Sequence, residues 1–139
     1  MKYWLIKTEP EDWSWKQQVK TENEGIEWSG VRNFQASKNL KNMKIGDKCF
    51  FYHTSKIKSI VGIVKVTKEA FLDKSDKTQK FVSVIVEAVN PLKREVSLQE
   101  IKKHKDFRDF SLVKQSRLSV MKVDLKYWKK ICKMGKINK

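Results

Sequence analysis

The sequence predicts an α+β fold, a small closed or nearly closed β-barrel of five or six mostly antiparallel strands with short peripheral helices. Three observations predict it. The 139 residues make one ordinary domain's worth of chain, and 40% hydrophobic with 11% aromatic residues is a folding composition. Several short apolar or alternating runs end at turn residues, as strands do. Between them stand helix-start signals of the Ser-x-x-Gln/Glu kind. No Gly/Ser/Pro linker and no repeat interrupts the chain, which has five Gly and two Pro, so residues 1–139 read as a single domain.

Taken in order, Tyr3-Trp4-Leu5-Ile6 is a buried strand that stops at Lys7-Thr8-Glu9-Pro10, because Pro cannot donate to a ladder. Ser14 to Gln17 is a capping box opening a short helix, and residues 21–30 read as a polar loop. A helix follows from about Asn33 to Met43, with Phe34, Leu40 and Met43 facing the core. After the turn at Gly46-Asp47, Cys49 to His53 is a strand. Ile60–Phe71 and Phe81–Val89 form an antiparallel hairpin around Lys74-Ser75-Asp76-Lys77, with Val82, Val84, Val86 and Ala88 alternating with Ser83, Ile85 and Glu87. Ser97 to Glu100 is a second capping box for a helix to about His104. Leu118–Val123 is the last strand, and Asp124 caps a terminal helix whose basic end is expected to fray from about Lys133.

Charge is the dominant bulk property. The chain carries 31 basic and 16 acidic residues, a net of +15. Residues 1–30 hold four Lys against six acids, so the excess lies beyond them. A surplus of this size draws polyanions, nucleic acid first among them. Only four of the basic residues are Arg, and Arg32, Arg94, Arg108 and Arg117 therefore stand out as rigid planar donors. No apolar run reaches the ~20 residues of a membrane span and no signal-peptide cleavage region follows Met1, so a cytoplasmic protein without a membrane partner is expected. Cys49 and Cys132 read as reduced thiols, Cys49 inert in an apolar strand. Phosphate-cradling glycine loops and the G-x-S-x-G and H-E-x-x-H signatures are missing, and two His with two distant Cys cannot build a deaminase zinc site. Neither an enzyme nor a cofactor is expected. The one acidic group, Glu9, Glu11 and Asp12, could in principle hold a metal for nucleic-acid processing, but it also suits the start of the Ser14 helix.

Four blocks strongly resemble the EVE domain family, of the PUA-like superfamily: Tyr3–Pro10, Gly30-Val31-Arg32-Asn33-Phe34-Gln35-Ala36, Met43–Asp47 with Phe50–His53, and Leu112–Val120 with its Gln115-Ser116-Arg117. They occur in family order, and the likeness covers about residues 1–132. The resemblance implies a small PUA-like β-barrel with peripheral helices, related to YTH and ASCH domains. It implies a module that binds nucleic acid, RNA or DNA, with a pocket for one extruded and often modified base; a monomer is the default expectation for a single domain. Such a pocket needs two flat walls and a few hydrogen bonds, because stacking returns about 1–3 kcal/mol per base against a few kcal/mol for extrusion. The candidate wall is Trp28, in its polar loop, although a Trp also suits a core. Asn33 and Ser29 could read a base edge or cap the following helix. Tyr52 and His53 should emerge where their strand ends. Ser116 suits a base, a phosphate or a turn. Arg32 and Arg117 are candidate phosphate clamps, or partners of the acidic N-terminal segment, and Lys7 could touch phosphate or pair with Glu9. His104, in a Lys-rich helix, reads as solvated, and Trp4, Trp13, Trp15 and Trp128 read as core. Against the family pattern, the connection between Phe71 and Phe81 is short, and Phe81 stands where the family has a Trp. A free nucleoside or a protein are the alternative occupants of the same pocket.

Overall fold

The computed structural model describes residues 1–137. Six strands form one sheet: β1 (Tyr3–Thr8), β2 (Ile26–Trp28), β3 (Lys48–His53), β4 (Ser59–Leu72), β5 (Val82–Ser97) and β6 (Val120–Val123). Five helices surround it: α1 (Trp15–Lys20), α2 (Phe34–Asn42), α3 (Leu98–Lys103), α4 (Ser111–Lys114) and α5 (Leu125–Met134). The strand order is β2-β5-β4-β3-β1-β6. β1 runs parallel to β3 and every other pairing is antiparallel. β2 and β6 are left as edges, so the sheet is open rather than closed into a barrel.

The strongest local signals produce the expected elements. Ser14 and Ser97 both form complete capping boxes, each accepting from the third helical N–H while Gln17 or Glu100 reaches back. β3 is buried along nearly its whole length because β1 and β4 cover both its edges. Behind it, Phe50 stacks on Trp128 of α5 at 3.9 Å, closing the core against the terminal helix. That helix ends in a well-paired turn: Gly135 O accepts from Lys93 N at 3.1 Å, and Ile137 N donates to Cys132 O at 3.0 Å. The last of the basic end expected to fray, residues 138–139, lies outside the described residues. Asp124 sits at the cap position of α5 but makes no side-chain cap bond.

Several boundaries differ from the sequence reading, for identifiable reasons. Residues 21–30 are not a plain loop: a 3₁₀ turn (Glu22–Glu24) leads into β2, which adds Ile26, Glu27 and Trp28 to the edge of β5. β5 continues through Pro91 to Ser97, because the register slips there and Pro91 needs no ladder donor at a bulge. Phe34 is 69% exposed instead of buried, lying at 5.0 Å from the Phe81 ring outside the core. α4 and a 3₁₀ turn (Lys105–Phe107) fill a stretch in which the sequence showed no element.

Candidate functional site

The strand ends and loops on one side of the sheet enclose a cleft of about 500 Å³, within the size range of small-ligand sites. The exit of β1 supplies Lys7, Thr8 and Glu9, the turn before α1 supplies Asp12 and Trp13, and residues 26–33 supply the opposite wall. Five of the residues singled out from sequence meet here: Lys7, Trp28, Ser29, Arg32 and Asn33. Tyr52, His53, Ser116 and Arg117 do not line it.

Two indoles face the cleft. Trp13 is half-buried, with its Nε1 donating to Gln18 Oε1 at 2.9 Å and its carbonyl accepting from Thr8 Oγ1 at 2.8 Å. The sequence assigned this Trp to the core, and nothing local distinguishes it from Trp15, two residues on. Trp28 contributes less surface than a loop residue would. Paired with Val84 in the ladder, it is 8% exposed and meets Phe51 edge-on at 5.7 Å. It is a core side chain with one margin on the cleft.

The polar residues divide by what holds them. Asn33 is the cap of α2, its side-chain oxygen accepting from Ala36 N at 2.9 Å. Its Nδ2 has no protein acceptor among the described residues, and the residue lines the cleft. Ser29 is exposed and, contrary to the cap reading, is released from that role by Asn33. Arg32 is committed to Asp73, not to the acidic N-terminal segment, with Nη1 3.0 Å from Asp73 Oδ2 and Nη2 3.0 Å from Ser75 Oγ. Asp73 also accepts from Gly30 N at 2.8 Å. Burial pushes the Asp73 carboxyl up, yet the hydrogen bonds from Ser75, Gly30 and Arg32 outweigh it and hold it down at about 2. The short connection after β4 therefore folds back as a lip that ties down residues 30–32.

Lys7 reaches Ser116 O at 3.0 Å and lies 5.7 Å over the Tyr52 ring, and burial lowers its pKa. It contacts neither Glu9 nor a solvent-side partner. Tyr52 does not emerge: it is 3% exposed beneath Lys7, and burial pushes its phenol up to about 12. His53 is likewise buried. Its Nε2 accepts the Trp15 backbone N–H at 3.0 Å, and burial lowers its pKa against the pull of Glu95 and Glu9, so it is a satisfied structural imidazole. Both are covered because β3 is an inner strand to its last residue. Ser116 contributes only its carbonyl, and Arg117 is exposed and outside the cleft lining.

Of the acidic group, Glu9 and Asp12 line the cleft, and Glu9 and Glu11 line the hollow beside it. Glu9 accepts from the Ser55 and Thr54 hydroxyls, which lower its pKa with the Ser55 bond leading. No cluster of three metal-capable side chains occurs among the described residues. Cys49 is fully buried, and desolvation raises its thiol pKa far above the usual range.

A family model for the EVE domain matches residues 2–134. The chain belongs to the EVE domain family. Among curated relatives, this EVE domain is 37% identical over 126 residues to thymocyte nuclear protein 1 of Gallus gallus, covering 73% of this chain and 52% of that protein. The Rattus norvegicus protein is 33% identical, with 85% and 66% covered. The chain thus spans from about half to two-thirds of the length of these relatives. Among solved structures, Rpa0253 from Rhodopseudomonas palustris superposes with a TM-score of 0.93 at 44% identity over 98% of this chain and 94% of the other. The human THYN1 protein in complex with 5-methylcytosine-containing DNA superposes at 0.90 with 27% identity over the whole of both chains. A YTH domain from Zygosaccharomyces rouxii matches at 0.61 and 17% identity over 99% of this chain and 86% of the other, a likeness of fold alone.

Proposed function

We propose that this EVE domain, taken as one unit over residues 1–139, is a nucleic-acid-binding module that holds a single extruded, modified base in the cleft between Trp13 and the margin of Trp28. The observation that carries this reading is the cleft itself: about 500 Å³, walled by two indoles, with Asn33 Nδ2 and Ser29 as uncommitted polar groups. The likeness to a human relative solved with 5-methylcytosine-containing DNA supports it. The reading is of a binding protein rather than an enzyme. No helix of the described residues is long and apolar enough to cross a membrane. The cytoplasm, or the nucleus in a eukaryotic cell, is the location this reading assigns, and the names of the curated relatives support the nuclear half of it.

Trp13 is assigned the stacking role and Asn33 the reading of the base edge. Arg32 acts by fixing the wall through Asp73, and Lys7 by closing the floor over Tyr52. Truncating Trp13 should remove about 1–3 kcal/mol per base, or about a 5- to 150-fold loss of affinity for the preferred oligonucleotide. Trp13→Phe should retain much of it. The assay is fluorescence polarisation against matched oligonucleotides with modified and plain bases, RNA and DNA, with circular dichroism confirming the fold. Unchanged base preference in Trp13→Ala, or no binding to any oligonucleotide at low salt, defeats the proposal.

A further inference from the structure

The base-binding reading leaves a physical gap, which the distribution of charge on this chain fills. A strand entering the cleft must have its phosphates neutralised, yet the two cations of the cleft lining already have protein partners: Arg32 has Asp73 and Lys7 has Ser116 O. The same lining carries the carboxylates of Glu9, Asp12 and Glu27. The cleft is therefore built for a ring, and the net charge of +15 must meet the backbone elsewhere.

A path leads away from it. Glu9 lines the cleft and also a neighbouring hollow, whose far wall is the turn Ser55-Lys56-Ile57 between β3 and β4. Lys56 and Ile57 in turn line the next hollow, together with Lys58 and Lys102. Lys102 lines a third, with Lys103, Lys105 and Arg108. The turn is built with care: Ser55 and Lys58 take positive φ of 63° and 46°, uncommon for such residues. Lys58 O accepts from Leu98 N at 2.8 Å, fastening the turn to the start of α3. Ile57 stands 44% exposed between the two lysines. Three acids beside these lysines are paired, Glu100 with Arg94, Asp106 with Lys130, and Asp109 with Lys114 at 3.4 Å, whereas Glu9 and Glu11 line the hollow nearest the cleft, so the cationic surface begins at Lys56. Lys56, Lys58, Lys102, Lys103, Lys105 and Arg108 are all exposed and have no ion-pair partner among the described residues.

We infer that the phosphodiester backbone of the bound nucleic acid leaves the cleft across the β3–β4 turn and is gripped by a band running from Lys56 and Lys58 through Lys102 to Arg108. This rests on the base-binding reading for its starting point and adds a second, separate contact surface. Base selection and backbone affinity then reside on different residues. Each phosphate contact on a single strand contributes about 0.7 to the slope of log affinity against log salt.

The test uses the full chain, a single-stranded oligonucleotide in modified and plain forms, and salt from 50 to 200 mM. The triple variant K56A/K58A/K102A should lower the salt slope by about 2, so that its affinity deficit narrows roughly 15-fold across that range, while the ratio of modified to plain affinity stays at the wild-type value. The control K41A/K44A/K126A removes equal charge from exposed lysines outside the band and should leave the slope near wild type. Equal loss in both triples, or no loss in the first, overturns the band. So does a loss confined to phosphatidylserine vesicles, which would make it a lipid contact. A wild-type protein with salt-dependent binding but no preference for the modified form would instead overturn the cleft reading and leave the band standing.

Discussion

Replacing Asp73 by Asn removes the charge that ties the β4–β5 connection to the cleft wall. The carboxylate is buried, with 1% of its side chain exposed, and gathers Gly30 N, Arg32 Nη1, Ser75 N and Ser75 Oγ. Its folded pKa of about 2 lies below the ordinary 3.8. A group depressed on folding adds stability above its unfolded pKa and loses it as pH falls toward the folded value. The difference corresponds to at most about 2 kcal/mol, at 1.36 kcal/mol per unit. Urea unfolding at pH 7 should therefore show Asp73→Asn destabilised by up to about 2 kcal/mol. The gap between variant and wild type should begin to shrink below about pH 4 and be largely gone near pH 2. Other depressed carboxyls, such as Asp76 held by Thr78 and Glu100 held by Arg94, make both proteins acid-sensitive but cancel in the difference. A gap of constant size from pH 7 to pH 2 would refute the electrostatic account.

Two further changes test the packing beneath the cleft. Gly62→Ala would place a Cβ 2.5 Å from the Trp15 ring, and overpacking of this kind should cost about 1–3 kcal/mol in thermal or urea unfolding; a neutral result would show that α1 shifts freely. Asp47→Ala strips the buried acceptor of Lys2 N, Lys44 N and Trp4 Nε1 and should cost about 3 kcal/mol, with Asp47→Asn costing distinctly less because it keeps one acceptor. Equal losses in the two variants would mean that hydrogen bonding is not what Asp47 supplies.

What could be read from sequence was what is decided within a few residues. Ser14 with Gln17 and Ser97 with Glu100 announce their helices because each capping box is complete within four residues. The apolar run at Cys49–Tyr52 announces a strand, but not that the strand is paired on both sides, and so Tyr52 and His53 were expected at the surface when they are covered. β2 is three residues long and exists only because β5 offers an edge, so no alternation could reveal it. Trp13 and Trp15 share one acidic, aromatic neighbourhood. The gap left by Gly62, far along the chain, draws Trp15 inward, and the bond to Gln18 holds Trp13 toward the cleft. Arg32 was legible as a special cation, but its partner lies 41 residues away in a connection that looked merely polar.

That connection also explains how a shortened loop can serve a base cleft. Asp76 gathers Thr78, Lys80 and Phe81 into a tight turn, and Asp73 carries the result back onto Gly30 and Arg32. Phe81 lies under the Arg32 guanidinium at 5.5 Å and beside Phe34 at 5.0 Å. A longer loop could reach over the cleft, whereas this one braces the cleft from the side, its two carboxylates held by hydrogen bonds while Lys74, Lys77 and Lys80 stay exposed. The two cations of the cleft lining itself, Lys7 and Arg32, already have protein partners. A ring entering there meets indole, amide and hydroxyl, and the selectivity it experiences comes from shape and hydrogen bonds rather than from attraction between charges. Raising the salt should therefore weaken modified and plain oligonucleotides by the same factor and leave their ratio unchanged.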